Sequence, residues 1–238
     1  MSRKLFSAAS LAVVCLIFSA PVYAQSADEI VAKNIAAKGG EARLKAVQTV
    51  RQSGNLNIQG QNAQLTVMTK RPNLSRQDII INGITISMAF DGTNAWMHNP
   101  MVSGAVTEMP AEQAEMIKDQ ADIDGPLLDY KAKGSTVELI GLEDANGKKA
   151  FHLRVSRKAL PPTELYIDST TFLEVKTVNT VPGTGTLEII FGDYRTVDGL
   201  TVPFSVKSTA AGMTISDLKL DKVEFNVNLP ADTFKIKK

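Results

Sequence analysis

Cysteine, histidine and tryptophan are nearly missing from this chain of 238 residues, which has one Cys, two His and one Trp. Cys15 lies inside an N-terminal apolar run, so removal of that run leaves no disulfide, no thiolate nucleophile and no cysteine metal ligand. Stability must then come from packing. His98 and His152 are far apart in sequence, and no Gly-x-Ser-x-Gly elbow, phosphate loop or His-Glu-x-x-His is present. Such a sparse catalytic set points away from an enzyme, with acid pairs such as Glu174 and Glu188 left as the material for a hydrolase. An excess of either charge is lacking too. Lys and Arg number 26 and Asp and Glu 25, a balance that argues against a nucleic-acid footprint. Beyond the first segment no apolar run approaches the ~20 residues that a helix needs to span a bilayer.

What is present begins with Arg3 and Lys4, the apolar run Leu11 to Phe18, and the small-residue ending Val22-Tyr23-Ala24. This is the pattern of a secretory signal peptide over residues 1–24. Val13-Val14 before Cys15 is not a lipid-attachment context. The expectation is export to the periplasm of a mature chain, residues 25–238, that forms one domain.

Ser26-Ala27-Asp28-Glu29 is a capping box, in which hydroxyl and carboxylate each satisfy an otherwise orphan amide at a helix start. Ile30, Val31 and Ile35 give that helix an apolar stripe, Gly39-Gly40 interrupts it, and Glu41 to Val47 offers one or two further turns. From Val50 the period drops to two. Leu56 and Ile58 alternate with Asn55 and Asn57, and the same rhythm returns at Ala63, Leu65, Val67, at Ile84, Ile86, Met88, Phe90, at Phe151, Leu153, Val155, and at Leu187, Ile189, Phe191. Asn82-Gly83, Asp91-Gly92, Asn146-Gly147 and Asp198-Gly199 supply the positive φ angles of tight hairpins. Alternation with one wet side predicts antiparallel pairing, and the segments add up to about ten or eleven strands, enough for a strongly curved sheet. Pro110 followed by Ala111 to Ile123 breaks the rhythm with helical spacing of Ala114, Ile117 and Ala121 until Asp124-Gly125-Pro126 stops it. Leu127-Leu128-Asp129-Tyr130 then fits one helical turn. The expected fold is mainly β within an α+β frame: a curved antiparallel sheet forming an incomplete barrel, covered by the N-terminal helix and short mid-chain helices.

Counting by twos places Arg71 on the side of Thr69, Val67 and Leu65, at the rim of the apolar face. Its five donors and permanent charge could hold a covering loop by its carbonyls; a solvated strand-end arginine is the plainer alternative. Trp96 has the polar alternation partners Asn94 and His98, and is either a core plug or part of a ligand wall. Of the scattered methionines, Met88 and Met116 are placed to face a cavity, where thioethers adapt to acyl chains of varied length. His152 falls on the polar side of its strand and reads as a surface histidine. Asp119, Asp122, Asp124 and Asp129 lack EF-hand spacing and read as a solvated acidic helix end, so neither a metal nor a cofactor is expected.

Lys70-Arg71-Pro72-Asn73-Leu74, the Asp91-Gly92 turn followed by Trp96 and Asn99-Pro100, the leading helix and the export signal together resemble the LolA-like outer-membrane lipoprotein carrier family. Motif identity is confined to roughly residues 70–100; the remainder is similar in element order alone. The resemblance implies a half-barrel enclosing an apolar cavity for the lipid anchors of exported lipoproteins. It gives Arg71 the role of lid latch and makes Leu127 and Leu128 similar in position to the lid helix. The expected lining is Leu65, Val67, Ile86, Met88, Phe90, Trp96, Met116, Ile117, Leu127, Leu128, Leu187, Ile189 and Phe191. The implied partners are a lipidated protein or lipid as cargo, an inner-membrane donor and an outer-membrane acceptor, with the carrier itself a monomer. Phe191-Gly192-Asp193-Tyr194-Arg195 with Val202-Pro203-Phe204 departs towards a divergent branch and leaves the cargo open. An envelope-stress sensory module on the same scaffold is the alternative function.

Overall fold

The computed structural model describes residues 25–158, 160–181 and 185–235, so the expected signal peptide lies outside the described residues. Helix α1 (Ala27–Ala37) opens on the expected capping box, with Ser26 Oγ accepting from the Glu29 amide at 3.2 Å and the Glu29 carboxylate accepting from the Ser26 amide at 3.0 Å. A second short helix, α2 (Glu41–Ala46), follows the Gly39-Gly40 break. Gly39 has φ +119°, and a Cβ there would meet the Gly199 carbonyl oxygen at 2.4 Å, so only glycine lets the helix pair turn this close to the sheet.

The strands are β1 (Thr49–Ile58), β2 (Gln61–Lys70), β3 (Leu74–Ile81), β4 (Ile84–Phe90), β5 (Ala95–Asn99) and β6 (Ser103–Glu108), then helix α3 (Ala111–Gln120). After α3 come β7 (Thr136–Ala145), β8 (Lys148–Ser156), β9 (Thr163–Asp168), β10 (Glu174–Val181), β11 (Gly185–Val197), β12 (Leu200–Ala210) and β13 (Met213–Phe225). All thirteen belong to one antiparallel sheet in the order β6-β5-β4-β3-β2-β1-β13-β12-β11-β10-β9-β8-β7. The chain therefore lays down one wing outward from β1 and returns along the other from its far edge. The two wings meet at a seam between β1 and β13, while β6 and β7 remain edges, so the sheet does not close into a barrel. The strand count exceeds the expected ten or eleven. The additions include β3, whose alternation is obscured by Arg76, Asp78 and the run Ile79–Ile81, and the two edge strands, which lack a clean apolar face.

At the seam Val50 pairs with Phe225 and Leu56 with Leu218, with a bulge between Ser53 and Gly54. A Cβ on Gly54 would lie 2.2 Å from the Lys219 carbonyl oxygen and 2.7 Å from Leu220 Cα. The close approach of the two backbones thus requires glycine.

One face of the sheet, called inner here, carries α1, α3 and the turns of residues 121–134. On the β7–β9 wing, Ile30, Val31, Leu127 and Tyr130 pack with Leu153, Val155, Leu165 and Ile167. On the other wing Ala114 and Ile117 of α3, with Ala121 just past its end, pack with Met88, Phe90, Ala95 and Met97. Each large aliphatic or Phe side chain that is fully buried among these contributes about 1.5–3 kcal/mol. The outer face is sealed locally by Leu229 and Phe234, the latter in a 3-10 turn (Ala231–Phe234), against Met68.

Candidate functional site

Arg71 stands just past β2, on the inner side as parity requires, and its guanidinium joins three parts of the chain. Its Nε donates to the Val47 carbonyl at 2.6 Å and Nη2 to the Leu44 carbonyl at 3.4 Å, fastening the end of α2. Nη1 and Nη2 also donate to the two carboxylate oxygens of Asp124 at 2.7 and 2.5 Å, a bidentate pair with side chains 22% and 15% exposed. The covering segment is therefore held through a carboxylate, and the carbonyls that Arg71 takes belong to the α2 end. The hydrogen bond from Arg71, with its charge, holds the Asp124 carboxyl below its ordinary value of 3.8 against the opposing effect of burial.

The acidic residues of this segment are not a solvated helix end. Arg157 donates to both oxygens of Asp119 at 2.5 Å, Lys133 binds Asp122, Arg71 binds Asp124, and Lys45 lies 2.8 Å from Asp129. In addition Tyr130 and Lys131 both donate to Asp28 on α1, the lysine at 2.6 Å. Three of the four aspartates reach a base outside the segment, from β2, from the β8 exit and from α2. The cover, α3 with the turns of residues 121–134, is thus clasped to both wings by charge and seated by Leu127 and Leu128, which are 4% and 2% exposed. Leu127-Leu128 lies in consecutive turns, not in the expected helical turn.

Between the two packed wings the inner face carries the buried Leu56, Ala63, Leu65 and Ile81, fringed by a strip of half-buried apolar side chains: Ile58, Val67, Ile79, Ile86 and Leu218, with Leu187, Ile189 and Phe191 on the other side of the seam. Register fixes the shared side, because Val67 pairs with Gln77, Ile79 with Ile86, Leu56 with Leu218, and Phe191 with Val206. The polar residues among them, such as Gln52, Gln77 and Ser208, are neutral. Gln77 donates to Gln120 of α3 at 3.1 Å.

Of the residues expected to line the pocket, Val67, Ile86, Met88, Leu187, Ile189 and Phe191 lie half-buried on the inner face, and Leu65 and Phe90 lie there fully covered. Ile117 packs on the Phe90 group. Met116 is half-buried one turn before Asp119 and Gln120, which reach Arg157 and Gln77 on opposite wings. Leu127 and Leu128 anchor the cover. Trp96 is a correction: it pairs with Ala89 while Met97 pairs with Met88, so its ring is on the outer face, where Nε1 donates to Asp91 at 3.0 Å. Its polar alternation partners Asn94 and His98 were the signal for that side.

The outer face accounts for both histidines. His98 lines a polar recess of about 490 Å³ with Arg76, Ser87, Pro230, Asp232, Thr233 and Lys235. His152 is not a surface side chain, being 8% exposed, stacked on Tyr166 with ring centres 4.4 Å apart and placed between Glu143 and Glu164 at 2.9 and 2.7 Å. The sequence concealed the ion-pair role of Asp124, in what looked like a helix stop, and offered Glu174 only as one acid of a hydrolase pair. The latter meets Lys38 at 2.9 Å, and Tyr194 donates to its backbone carbonyl at 2.8 Å. Burial pushes the Glu174 carboxyl up, but the charge and hydrogen bond of Lys38 bring it below its ordinary range, and burial beside that anion raises Tyr194.

This architecture is shared with solved structures. A DUF1329 family protein from Desulfovibrio piger superposes with a TM-score of 0.61 at 12% identity, covering 89% of this chain and 98% of that one. A LolA superfamily protein from Nitrosomonas europaea gives 0.58 at 14% identity, with 90% and 99% covered. A domain from Vibrio parahaemolyticus named for outer membrane lipoprotein sorting gives 0.58 at 12%, with 87% and 95% covered. No protein-family model and no curated protein matches the sequence. At these identities the likeness defines the fold: an open antiparallel sheet of the LolA-like kind, divergent in sequence.

Proposed function

We propose that the protein is a non-catalytic carrier that shelters acyl chains of a lipoprotein or lipid on the inner face of the sheet. The observation that carries this reading is the half-buried, charge-free apolar strip from Val67 and Ile86 across the seam to Leu187 and Phe191, overlaid by a segment fastened through ion pairs. Fatty tails taken from water onto such a surface gain about 0.8 kcal/mol per methylene. Arg71 acts as the latch: in the closed state it neutralises Asp124 and ties the cover to α2, and cargo is admitted when that pair separates. The cover is then the bistable element whose two positions must lie within a few kcal/mol of each other.

The carrier works in the periplasm, taking cargo from an inner-membrane donor and delivering it to an outer-membrane acceptor. The likeness in fold to a domain named for lipoprotein sorting supports this reading. Native mass spectrometry of the protein purified from its envelope fraction tests it. A co-purifying lipid or lipopeptide is the expected result; a protein that emerges without acyl cargo and fails to bind a fluorescent fatty acid overturns it.

A further inference from the structure

The two ends of the sheet differ in charge. Residues 52–69, 79–90, 92–107, 177–187 and 208–216 contain no Asp, Glu, Lys or Arg, in a chain where 21% of residues are charged. The antiparallel order sends the β1–β2, β3–β4, β5–β6, β10–β11 and β12–β13 connections to one and the same end, and each charge-free stretch belongs to one of these hairpins. The opposite end carries Lys70 and Arg71, Asp91, Asp144 with Lys148 and Lys149, Asp168, and Asp193 with Asp198. At the neutral end the charges sit on the β8 exit and beside the start of β7: Arg157, paired with Asp119, the exposed Lys158, and the ion pair of Lys131 with Asp28.

Apolar side chains are exposed at the same end. Ile84 is 37% exposed at the β3–β4 turn, Met101 and Val102 are 56% and 84% exposed at the β5–β6 turn, and Met213 is 68% exposed at the β12–β13 turn. Gly and Asn suit the tips themselves as turn formers, but water does not select for the exclusion of both signs of charge from the exposed strand ends that flank them, where charged residues are ordinarily placed. Protein partners select for aromatic and arginine anchors, and these tips have neither. A low-dielectric slab selects against every charge and accepts aliphatic and thioether groups. Below the tips the outer face presents Asn55, Asn57, Asn62 and Gln64, neutral hydrogen-bonding groups suited to the headgroup layer, which limit insertion to the turns.

We propose that this end of the sheet docks on a lipid bilayer, with Ile84, Met101, Val102 and Met213 entering the interfacial layer and Lys158 facing anionic headgroups. The inference rests on the carrier reading for its purpose, because a bilayer is where acyl cargo resides. It gives the inner strip, which runs to this rim through Ile58, Ile84 and Leu187, a direct route between membrane and sheet.

Co-flotation of residues 25–238 with vesicles of phosphatidylethanolamine and phosphatidylglycerol tests the proposal, with Val102→Asp, Met213→Asp and the double variant beside the parent, and fatty-acid binding measured on each. The parent should float with the vesicles, and each substitution should lower partition at least about fivefold, since each places a carboxylate in the interface. Circular dichroism and fatty-acid binding should be unchanged. Failure of the parent to float, or equal flotation of the double variant, overturns the docking proposal while intact fatty-acid binding leaves the carrier reading standing. Flotation without fatty-acid binding does the reverse. Dimerisation abolished by the same substitutions, with no flotation, would assign the rim to a second copy and also overturn it.

Discussion

The ionic hold of the cover on the β1–β6 wing comes down to one pair of side chains, Arg71 and Asp124. Removing the arginine leaves a carboxylate only 15% exposed without its bidentate partner, a loss of about 1–3 kcal/mol concentrated in the cover. Arg71→Leu should therefore leave the cooperative unfolding of the sheet nearly intact while hydrogen exchange in residues 121–134 accelerates; unchanged exchange there would remove the latch role. The pH dependence follows from the depressed Asp124 carboxyl. A group whose pKa is lowered on folding adds stability that is fully present above its unfolded value and is lost as pH falls through its folded value. The clasp should thus hold at neutral and mildly acid pH and release only below about pH 4, seen as exchange in the cover rising in that window and not above it. Arg71 was legible from the sequence because strand parity is a local property. Asp124 was not, since its partner lies 53 positions away and nothing in Asp-Gly-Pro distinguishes a helix stop from a helix stop that also holds an ion pair. The same limit explains Asp119, Asp122 and Asp129.

Among the elements, the strands with one apolar side were read correctly in place and period, and hairpin dipeptides such as Asn82-Gly83 announced their turns. Elements without that contrast escaped. β6 is exposed along nearly its whole length, and β7 has a bulge between Leu139 and Gly141 that shifts its alternation midway. Both are edges, where pairing on one side suffices and selection for an apolar face is weakest. At the β1–β13 seam the decisive residue is Gly54, with the Lys219 carbonyl 2.2 Å from where its Cβ would be. Gly54→Val should lower stability by about 1–3 kcal/mol or more, because backbone instead of a flexible side chain must give way. A denaturation midpoint equal to that of the parent would show that the seam can widen freely.

For the molecule as a whole, the inner face divides into two packed wings and a looser strip between them, a division no pattern of alternation reveals because Leu153 and Ile189 look alike in sequence. Whether a given apolar residue is covered depends on where α1 and α3 land. Ile189 is half-buried and outside the packed groups of both wings, so Ile189→Asp should preserve the fold and abolish binding of a fluorescent fatty acid, through the cost of desolvating a carboxylate against an acyl chain. Binding within twofold of the parent would move the cargo elsewhere on the sheet.

The seam also dictates the order in which the protein can be made. Val50 must wait for Phe225, a partner that is synthesised 175 residues later, so β1 spends nearly the whole of synthesis with a bare hydrogen-bonding edge. Pairing at such sequence separation is slow, and an unfinished chain presents an edge strand that neighbouring chains can join. A chaperone that holds extended segments should accordingly matter more for this protein than for one whose first strand pairs only with its second.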